Sequence, residues 1–256
     1  MTSVRVSPDA EVYDAIGVGY RRFRRPDARI ERMLHEPLAH AVHVVNVGAG
    51  TGSYEPRGRR VVAVEPSLEM IRQRPAGSAP TIRAVASALP FPDATFDAAM
   101  ALLTVHHWQD PAAGLRELRR ITHGPIVVFT FDHDVHGAQW LVSEYLPSML
   151  ELDRDVPSPE NIAEALGGGR VDVVPVAADC VDGFCHAWWR RPHAYLDPAV
   201  RAGISGVARL PPDVVDDAMA RLRRDLASGA WNRRHRELLD ETEIDAGYRL
   251  VIAPGI

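Results

Sequence analysis

The sequence contains no lysine, and all 29 of its basic residues are arginines. Only two cysteines are present, Cys180 and Cys185, which is too few for a disulfide framework. No apolar run is long enough to span a bilayer, and residues 1–10 lack the apolar core of a signal peptide. We therefore expect a cytoplasmic protein that folds without disulfides and does not enter a membrane.

The balance of charge argues against a nucleic-acid partner. The formal net charge is -5, and a protein that follows a phosphate backbone is normally basic. The absence of lysine is interpreted as a bias of genomic composition. The cluster Arg21, Arg22, Arg24 and Arg25 is interpreted as a solvated face with one or two anion contacts.

The first half of the chain alternates between short apolar runs and helical patterns. Strands are predicted over residues 42–47, 61–64, 81–85, 98–103 and 126–131. Asp27 opens a helix that carries Ile30 and Leu34, and Asp110 with Pro111 opens another that ends near Gly124. Strands that alternate with helices predict an α/β fold with a mostly parallel sheet.

The second half has a different pattern. Residues 140–150 and most of 184–240 are predicted to be helical, with strands over 171–176 and 248–253. We divide the chain into an N-terminal arm over residues 1–30, a core over 31–180, a helical insertion over 181–245 and a closing strand over 246–256.

A glycine-rich turn directly follows the first predicted strand. Gly48, Gly50 and Gly52 alternate there, so the backbone can turn sharply and a ligand can pack on it. The next strand ends in Glu65, whose carboxylate can accept hydrogen bonds from both hydroxyls of a ribose. The spacing is neither that of a dinucleotide loop nor that of a Walker loop. These features predict a nucleoside ligand without phosphates.

Four segments together resemble the class I S-adenosylmethionine-dependent methyltransferases, in particular small-molecule and quinone C-methyltransferases. They are the glycine turn (45–52), the acidic strand end (62–67, with Met70), the segment 86–91 with 96–97, and residues 103–108 with Asp110 and 115–120. The resemblance covers about the first half of the chain. It implies a Rossmann-like, doubly wound, mostly parallel sheet with the helical insertion before the last strand. It also implies S-adenosylmethionine as cofactor and S-adenosylhomocysteine as product.

The resemblance further implies which residues contact the cofactor, from the carboxyl edge of the sheet and from the N-terminal arm. They are Tyr13, Tyr20, Arg24, Gly48, Ala49, Gly50, Thr51, Gly52, Glu65, Pro66, Met70, Ala86, Ser87 and Leu103. The sequence departs from the family pattern at two places: the segment expected beside the adenine, and the crossover after the first strand. Val85 and Ser87 stand where many relatives carry acidic residues, and the crossover after Gly52 is short.

His106 and His107 follow the fourth strand, where the acceptor should meet the methyl group. An imidazole with a pKa near neutrality suits a general base, so both are candidate catalytic residues. Packing or hydrogen bonding within the loop is the alternative. In the same way, Arg24 either pairs with the cofactor carboxylate or lies on the surface.

We predict no metal site. Asp132, His133, Asp134 and His136 could join His106 or His107 around a divalent ion, but loop residues of these types are usually solvated or capping. Cys180, Cys185 and His186 lack a fourth zinc ligand at ordinary spacing.

The predicted function is methylation of a small-molecule acceptor at oxygen, nitrogen or carbon by a monomer or homodimer. Aromatic residues of the second half suggest a hydrophobic or planar acceptor, although core packing accounts for at least half of them. They are Trp140, Tyr145, Phe184, Trp188, Trp189 and Tyr195. A catalytically silent cofactor-binding or partner protein is the alternative, and the glycine spacing disfavours a nicotinamide-dependent oxidoreductase.

Overall fold

A computed structural model describes residues 23–256, and a seven-stranded sheet lies at its centre. The strands of the chain are β1 (His43–Val47), β2 (Arg60–Val64), β3 (Thr81–Ile82), β4 (Ala98–Leu102), β5 (Ile126–Phe131), β6 (Arg170–Val173), β7 (Val176–Ala177), β8 (Glu243–Ile244) and β9 (Tyr248–Ala253). The sheet order is β3-β2-β1-β4-β5-β9-β6, and β7 and β8 form a separate ribbon. Strands β1 to β5 pair in parallel, whereas β9 runs antiparallel to β5 and β6.

Helices cover both faces of the sheet and build the segment before β8. They are α1 (Ala28–His35), α2 (Leu68–Arg72), α3 (Pro111–Ile121), α4 (His133–Ala138), α5 (Met149–Leu152), α6 (Pro159–Ala165), α7 (Pro198–Ala202), α8 (Ser205–Ala208), α9 (Pro212–Ala227) and α10 (Ala230–Arg234). Single 3-10 turns occupy Glu36–Leu38, Val105–His107, Pro192–Leu196 and Glu237–Leu239, and a π turn occupies Leu141–Tyr145. The Rossmann-like, doubly wound architecture predicted from the sequence is confirmed.

The central strands are apolar on both faces because helices cover both. Val44 and Phe129 pack with α1 on one face, whereas Val45 and Val128 pack with α3 and α6 on the other. Such continuous apolar runs are typical of parallel strands. A third apolar cluster lies among the helices of the second half and contains Trp140, Tyr195 and Trp231.

Helices α1 and α3 begin where the sequence predicts. The Asp27 side chain accepts a hydrogen bond from the Arg29 amide and caps α1. The Asp110 carboxylate accepts one from the amide of Ala113, and Pro111 occupies the first turn of α3. Each cap satisfies an amide that the helix itself leaves without an acceptor.

Three predicted segments differ from the structure. The third strand ends at Ile82, because residues 84–87 turn away to line a cavity. Residues 140–150 form a π turn and then the short α5, with Pro147 between them. The predicted strand 171–176 divides between β6 and β7, which pair with different strands. The boundaries of the arm, core and insertion stay predictions.

The strand order reverses between β1 and β4, since connections leave these two neighbours toward opposite ends of the sheet. A crevice opens at such a reversal outside the carboxyl ends of the strands, and ligands of open α/β sheets bind there. Among residues 23–256, no helix combines the length and apolar character needed to cross a membrane.

Candidate active site

The turn after β1 brings its glycines into left-handed backbone conformations. Gly48 has a φ of 72° and Gly50 a φ of 51°, values that side chains disfavour. A Cβ at Gly48 would overlap the side chain of Thr104, at the tip of β4. A Cβ at Gly50 would meet no atom within 4 Å. Gly48 is therefore required for packing, whereas Gly50 faces open space.

Glu65 lies beside this turn and is 6% exposed. One carboxylate oxygen accepts a hydrogen bond from the Gly50 amide at 2.7 Å, and the other accepts one from the Ser67 amide at 2.9 Å. Each carboxylate oxygen has a second lone pair, so Glu65 can still accept hydrogen bonds from a ligand. The two amides fix the direction in which it can do so.

A cavity of about 180 Å³ opens between the glycine turn, Glu65 and the end of β4; we call it the first cavity. Most of the predicted cofactor-binding residues line it: Arg24, Gly48, Ala49, Gly50, Thr51, Glu65, Pro66, Met70, Ala86, Ser87 and Leu103. Gly52 is not in its wall, and Tyr13 and Tyr20 lie outside the described residues. Val85, one of the two departures noted in the sequence, also faces this space.

A buried ion pair that the sequence analysis missed supports the glycine turn. Arg74 donates to both carboxylate oxygens of Glu55 at 2.7 and 2.8 Å, and to the carbonyl of Gly50 at 3.2 Å. The side chains of Arg74 and Glu55 are 5% and 11% exposed. Asn46 on β1 also donates to Glu55. No sequence motif predicts this pair, because its two residues are nineteen positions apart and only the fold brings them together.

A second, smaller cavity of about 50 Å³ adjoins the first. Leu103 and Arg24 line both cavities and therefore stand at their junction. The other walls of the second cavity are mostly apolar or neutral: His106, Phe131, His136, Met149, Asp153, Phe184, Cys185, Gly203, Ile204, Ser205, Gly206 and Tyr248. Leu103 has a φ of 50°, which is strained for a residue with a side chain.

The two candidate catalytic histidines face different cavities. His107 lines the first and His106 the second, with their ring centroids 3.8 Å apart. Burial, with a contribution from Arg209 and Arg24, lowers the pKa of His107 to about 3. Burial also holds the pKa of His106 well below its usual range. The expectation of an imidazole with a pKa near neutrality is therefore wrong, because both rings lie where an imidazolium would lose its hydration.

Arg24 is held by a buried acid. Its Nε donates to Asp182 at 2.7 Å, and Asp182 is fully buried. The hydroxyl of Tyr54 donates to the other oxygen of Asp182 at 2.9 Å. Arg24 is thus not a loose surface residue, and its guanidinium is fixed at the junction of the two cavities.

The second-half aromatic residues divide between core and cavity. Phe184 lines the second cavity, whereas Trp140, Tyr145 and Tyr195 pack in the third apolar cluster. Trp189 is buried against the sheet. The expectation that core packing accounts for at least half of these aromatic residues agrees with this division.

The acidic residues after β5 do not face a common point. Asp132 caps α4 through the amides of Asp134 and Val135, and the Asp134 side chain is fully exposed. His133 contacts the carbonyl of Leu150. His136, in contrast, is buried and lines the second cavity.

Comparison with known proteins decides the family. Residues 45–125 match the methyltransferase domain family. A crystal structure from Anabaena variabilis, described as a methyltransferase from an antibiotic biosynthesis pathway, has a TM-score of 0.85 and 31% identity. The alignment covers 90% of this chain and 98% of that one. The chain belongs to the class I S-adenosylmethionine-dependent methyltransferases. The cofactor of this methyltransferase is S-adenosylmethionine.

Curated relatives match shorter stretches of the methyltransferase. A demethylmenaquinone methyltransferase of Renibacterium salmoninarum is 36% identical over 114 residues, 40% of this chain and 47% of that protein. A malonyl-[acyl-carrier protein] O-methyltransferase of Halorhodospira halophila is 36% identical over 149 residues, 50% of this chain and 48% of that protein. The chain thus spans about half the length of these two relatives.

Proposed function

We propose that this methyltransferase binds its cofactor in the first cavity and methylates a small apolar or planar molecule held in the second. The observation that carries the proposal is the junction of the two cavities at Leu103 and Arg24. Methyl transfer is an in-line displacement, so donor and acceptor must occupy adjoining spaces that exclude water.

The residues of the first cavity fit an adenosyl ligand. Open space faces Gly50, so a ligand can lie against the backbone there. The Glu65 carboxylate beside it supplies acceptors for the two ribose hydroxyls. Near the adenine, Val85 and Ser87 provide backbone groups and one hydroxyl in place of an acid. Recognition of the adenine amino group therefore rests on these neutral groups.

The second cavity fits a compact, uncharged acceptor. Phe131, Met149 and Phe184 supply apolar surface, and His106 supplies an uncharged polar group. Its carboxylate, Asp153, is paired with Arg209 at 3.3 Å. Apolar walls with a few polar groups that fix orientation are typical of small-molecule sites. A ring that carries one polar atom, or the end of an acyl chain that carries one, would fit this cavity.

Positioning is the main task of this chain's residues, because the sulfonium of the cofactor supplies an already activated methyl group. Leu103 and Arg24 border the path between the cavities. His106 and His107 remain neutral. Each can therefore orient a hydrogen atom of the methyl acceptor, but both are weak bases. An uncharged acceptor that is already nucleophilic, such as a neutral amine or an electron-rich ring carbon, suits this arrangement.

The names of the relatives agree with this range of acceptors. One relative is named for demethylmenaquinone, one for a malonyl group on a carrier protein, and the A. variabilis protein for antibiotic biosynthesis. The quinone precursor is planar and apolar, which matches the second cavity better than an anionic acyl group does.

Calorimetric titration with S-adenosylmethionine tests the first cavity. Glu65→Ala should weaken binding by about 1.5–3 kcal/mol, the range for hydrogen bonds to a charged group. Gly50→Val should abolish binding while the protein stays folded. Glu164→Ala and Gly58→Val are matched controls, because Glu164 is exposed and Gly58 has a positive φ with open space outside the cavity. Unchanged affinity in both cavity variants would contradict the assignment.

The second cavity is tested by turnover. The protein is incubated with S-adenosylmethionine and a panel of quinols, phenols, amines and carboxylic acids, and S-adenosylhomocysteine is quantified. Ser205→Phe should fill the cavity and abolish turnover of any acceptor found, without changing cofactor affinity. Ser143→Phe, at an exposed position, is the control. Unchanged turnover of an acceptor by Ser205→Phe would place that acceptor elsewhere.

A further inference from the structure

Three potential metal ligands meet beside the second cavity. His136 lies on α4, and Cys185 and His186 lie in the segment after β7. One ligand atom from each residue lies within 4.8 Å of the other two. The residues are 7%, 8% and 1% exposed, so all three side chains are buried. The sequence shows only the Cys185-His186 pair, because His136 is supplied by a segment about fifty residues away.

The cluster is held in place by its surroundings. The Nε2 of His186 hydrogen-bonds the carbonyl of His136 at 3.1 Å. Ring nitrogens that bind metal commonly have the other nitrogen fixed by a carbonyl in this way. Gly247 packs so closely on the His136 backbone that a Cβ there would come within 2.6 Å of its nitrogen. The Tyr195 hydroxyl donates to the Cys185 carbonyl at 2.8 Å.

One polar atom of this cluster has no partner in the described part of the protein. The Nδ1 of His136 is buried and has no hydrogen-bond partner among residues 23–256. A buried nitrogen without a partner calls for one, and a bound ion would supply it.

We propose that His136, Cys185 and His186 bind one zinc-like divalent ion. A thiolate with two imidazoles is a soft, nitrogen-rich set that favours zinc over magnesium or calcium. Ligand atoms around tetrahedral zinc lie about 3.3–3.8 Å apart, so small side-chain rotations close the site. Binding replaces the thiol proton of Cys185, which leaves to solvent as the sulfur–metal bond forms.

An ion held by these three residues would border the second cavity, from which a fourth ligand could come. His136 and Cys185 line that cavity, and no fourth ligand from the described residues joins the cluster. Zinc sites with three protein ligands and one open position are of the catalytic type. An acceptor with a thiol, hydroxyl or carbonyl can coordinate there. This inference does not depend on the proposed acceptor, because metal binding is measured without one.

Cobalt substitution tests the site directly. The protein is stripped with a chelator, loaded with Co²⁺ and examined for the thiolate-to-cobalt charge-transfer band, while dialysis and elemental analysis give the zinc stoichiometry. The parent and Cys180→Ser should each bind about one ion and show the band. Cys180 is the matched control because it is the other buried cysteine and lies outside the cluster.

Cys185→Ser should lose the band, and cobalt affinity should fall by at least about tenfold, since even outer-shell changes cost that much. His136→Gln should weaken binding similarly while the band persists at higher cobalt concentration. Circular dichroism and S-adenosylmethionine titration show whether each variant is folded. If the parent shows no band, or if Cys185→Ser keeps it, the proposal is overturned; the parent spectrum decides this even where a variant fails to fold.

Discussion

Acid should destabilise this methyltransferase through His106 and His107. Both side chains are half-buried in the cavity walls, where desolvation lowers the pKa of His107 to about 3 and that of His106 well below its usual range. In the unfolded chain a histidine has a pKa of about 6.5. Between these values the unfolded state binds more protons than the folded state, so the free energy of unfolding decreases as the pH falls. The effect is nearly absent at pH 7 and grows below pH 6.5.

The size of the effect follows from these two pKa values. From pH 7 to pH 5, each histidine that stays neutral in the folded protein lowers the free energy of unfolding by about 2 kcal/mol. His107 therefore contributes about 2 kcal/mol, a noticeable share of the 5–15 kcal/mol typical of a folded domain, and His106 acts in the same direction. The slope below pH 6 approaches about 1.4 kcal/mol per pH unit for each histidine.

Urea denaturation at several pH values measures this contribution. The double variant His106→Asn/His107→Gln removes both titrating rings, so its loss of stability between pH 7 and pH 5 should be at least about 2 kcal/mol smaller than that of the parent. His40→Gln, at an exposed position, controls for the replacement itself. Other titrating groups contribute equally to parent and variant. If parent and double variant lose stability in parallel, the two rings are not buried in neutral form.

Three further outcomes are expected. With a suitable acceptor, turnover should show no inflection from His107 between about pH 5.5 and 8, because the pKa of His107 lies near 3; an inflection that His107→Gln abolishes would contradict this. Gly48→Ala should lower the free energy of unfolding by about 1–3 kcal/mol in urea titrations, because its Cβ overlaps Thr104. Arg74→Met should cost about 3–5 kcal/mol and weaken cofactor binding, because Glu55 is left buried without its partner. The double variant with Glu55→Gln should recover part of that stability, and no recovery would mean that the pair is not coupled.

Local patterns were enough to predict the sheet and the first cavity. The glycine turn and Glu65 are adjacent to strand ends, and parallel strands bring their carboxyl ends to one edge. The helix caps at Asp27 and Asp110 are also local, since each involves an amide two or three residues away. Contacts of this short range can be recognised from the order of residues alone.

The second cavity and the metal cluster were beyond such patterns. Their walls come from separate segments between residues 24 and 248, and no spacing rule links His136 to Cys185. Burial explains the remaining differences between the sequence-based expectations and the structure. The aromatic residues Trp140 and Tyr195 fill a core, and His106 and His107 lose their charge because the fold removes their water.

The two cavities are built by different parts of the fold, and this affects which of their residues can be substituted during evolution. Gly48 packs against Thr104 at the sheet edge, so a substitution at this position of the first cavity disturbs the strand ends themselves. Much of the wall of the second cavity comes instead from helices outside the sheet, over residues 149–153 and 203–206. Those positions can be exchanged while the strands stay intact. A lineage can therefore acquire new substrates by altering these helices alone, with its methyl donor retained throughout.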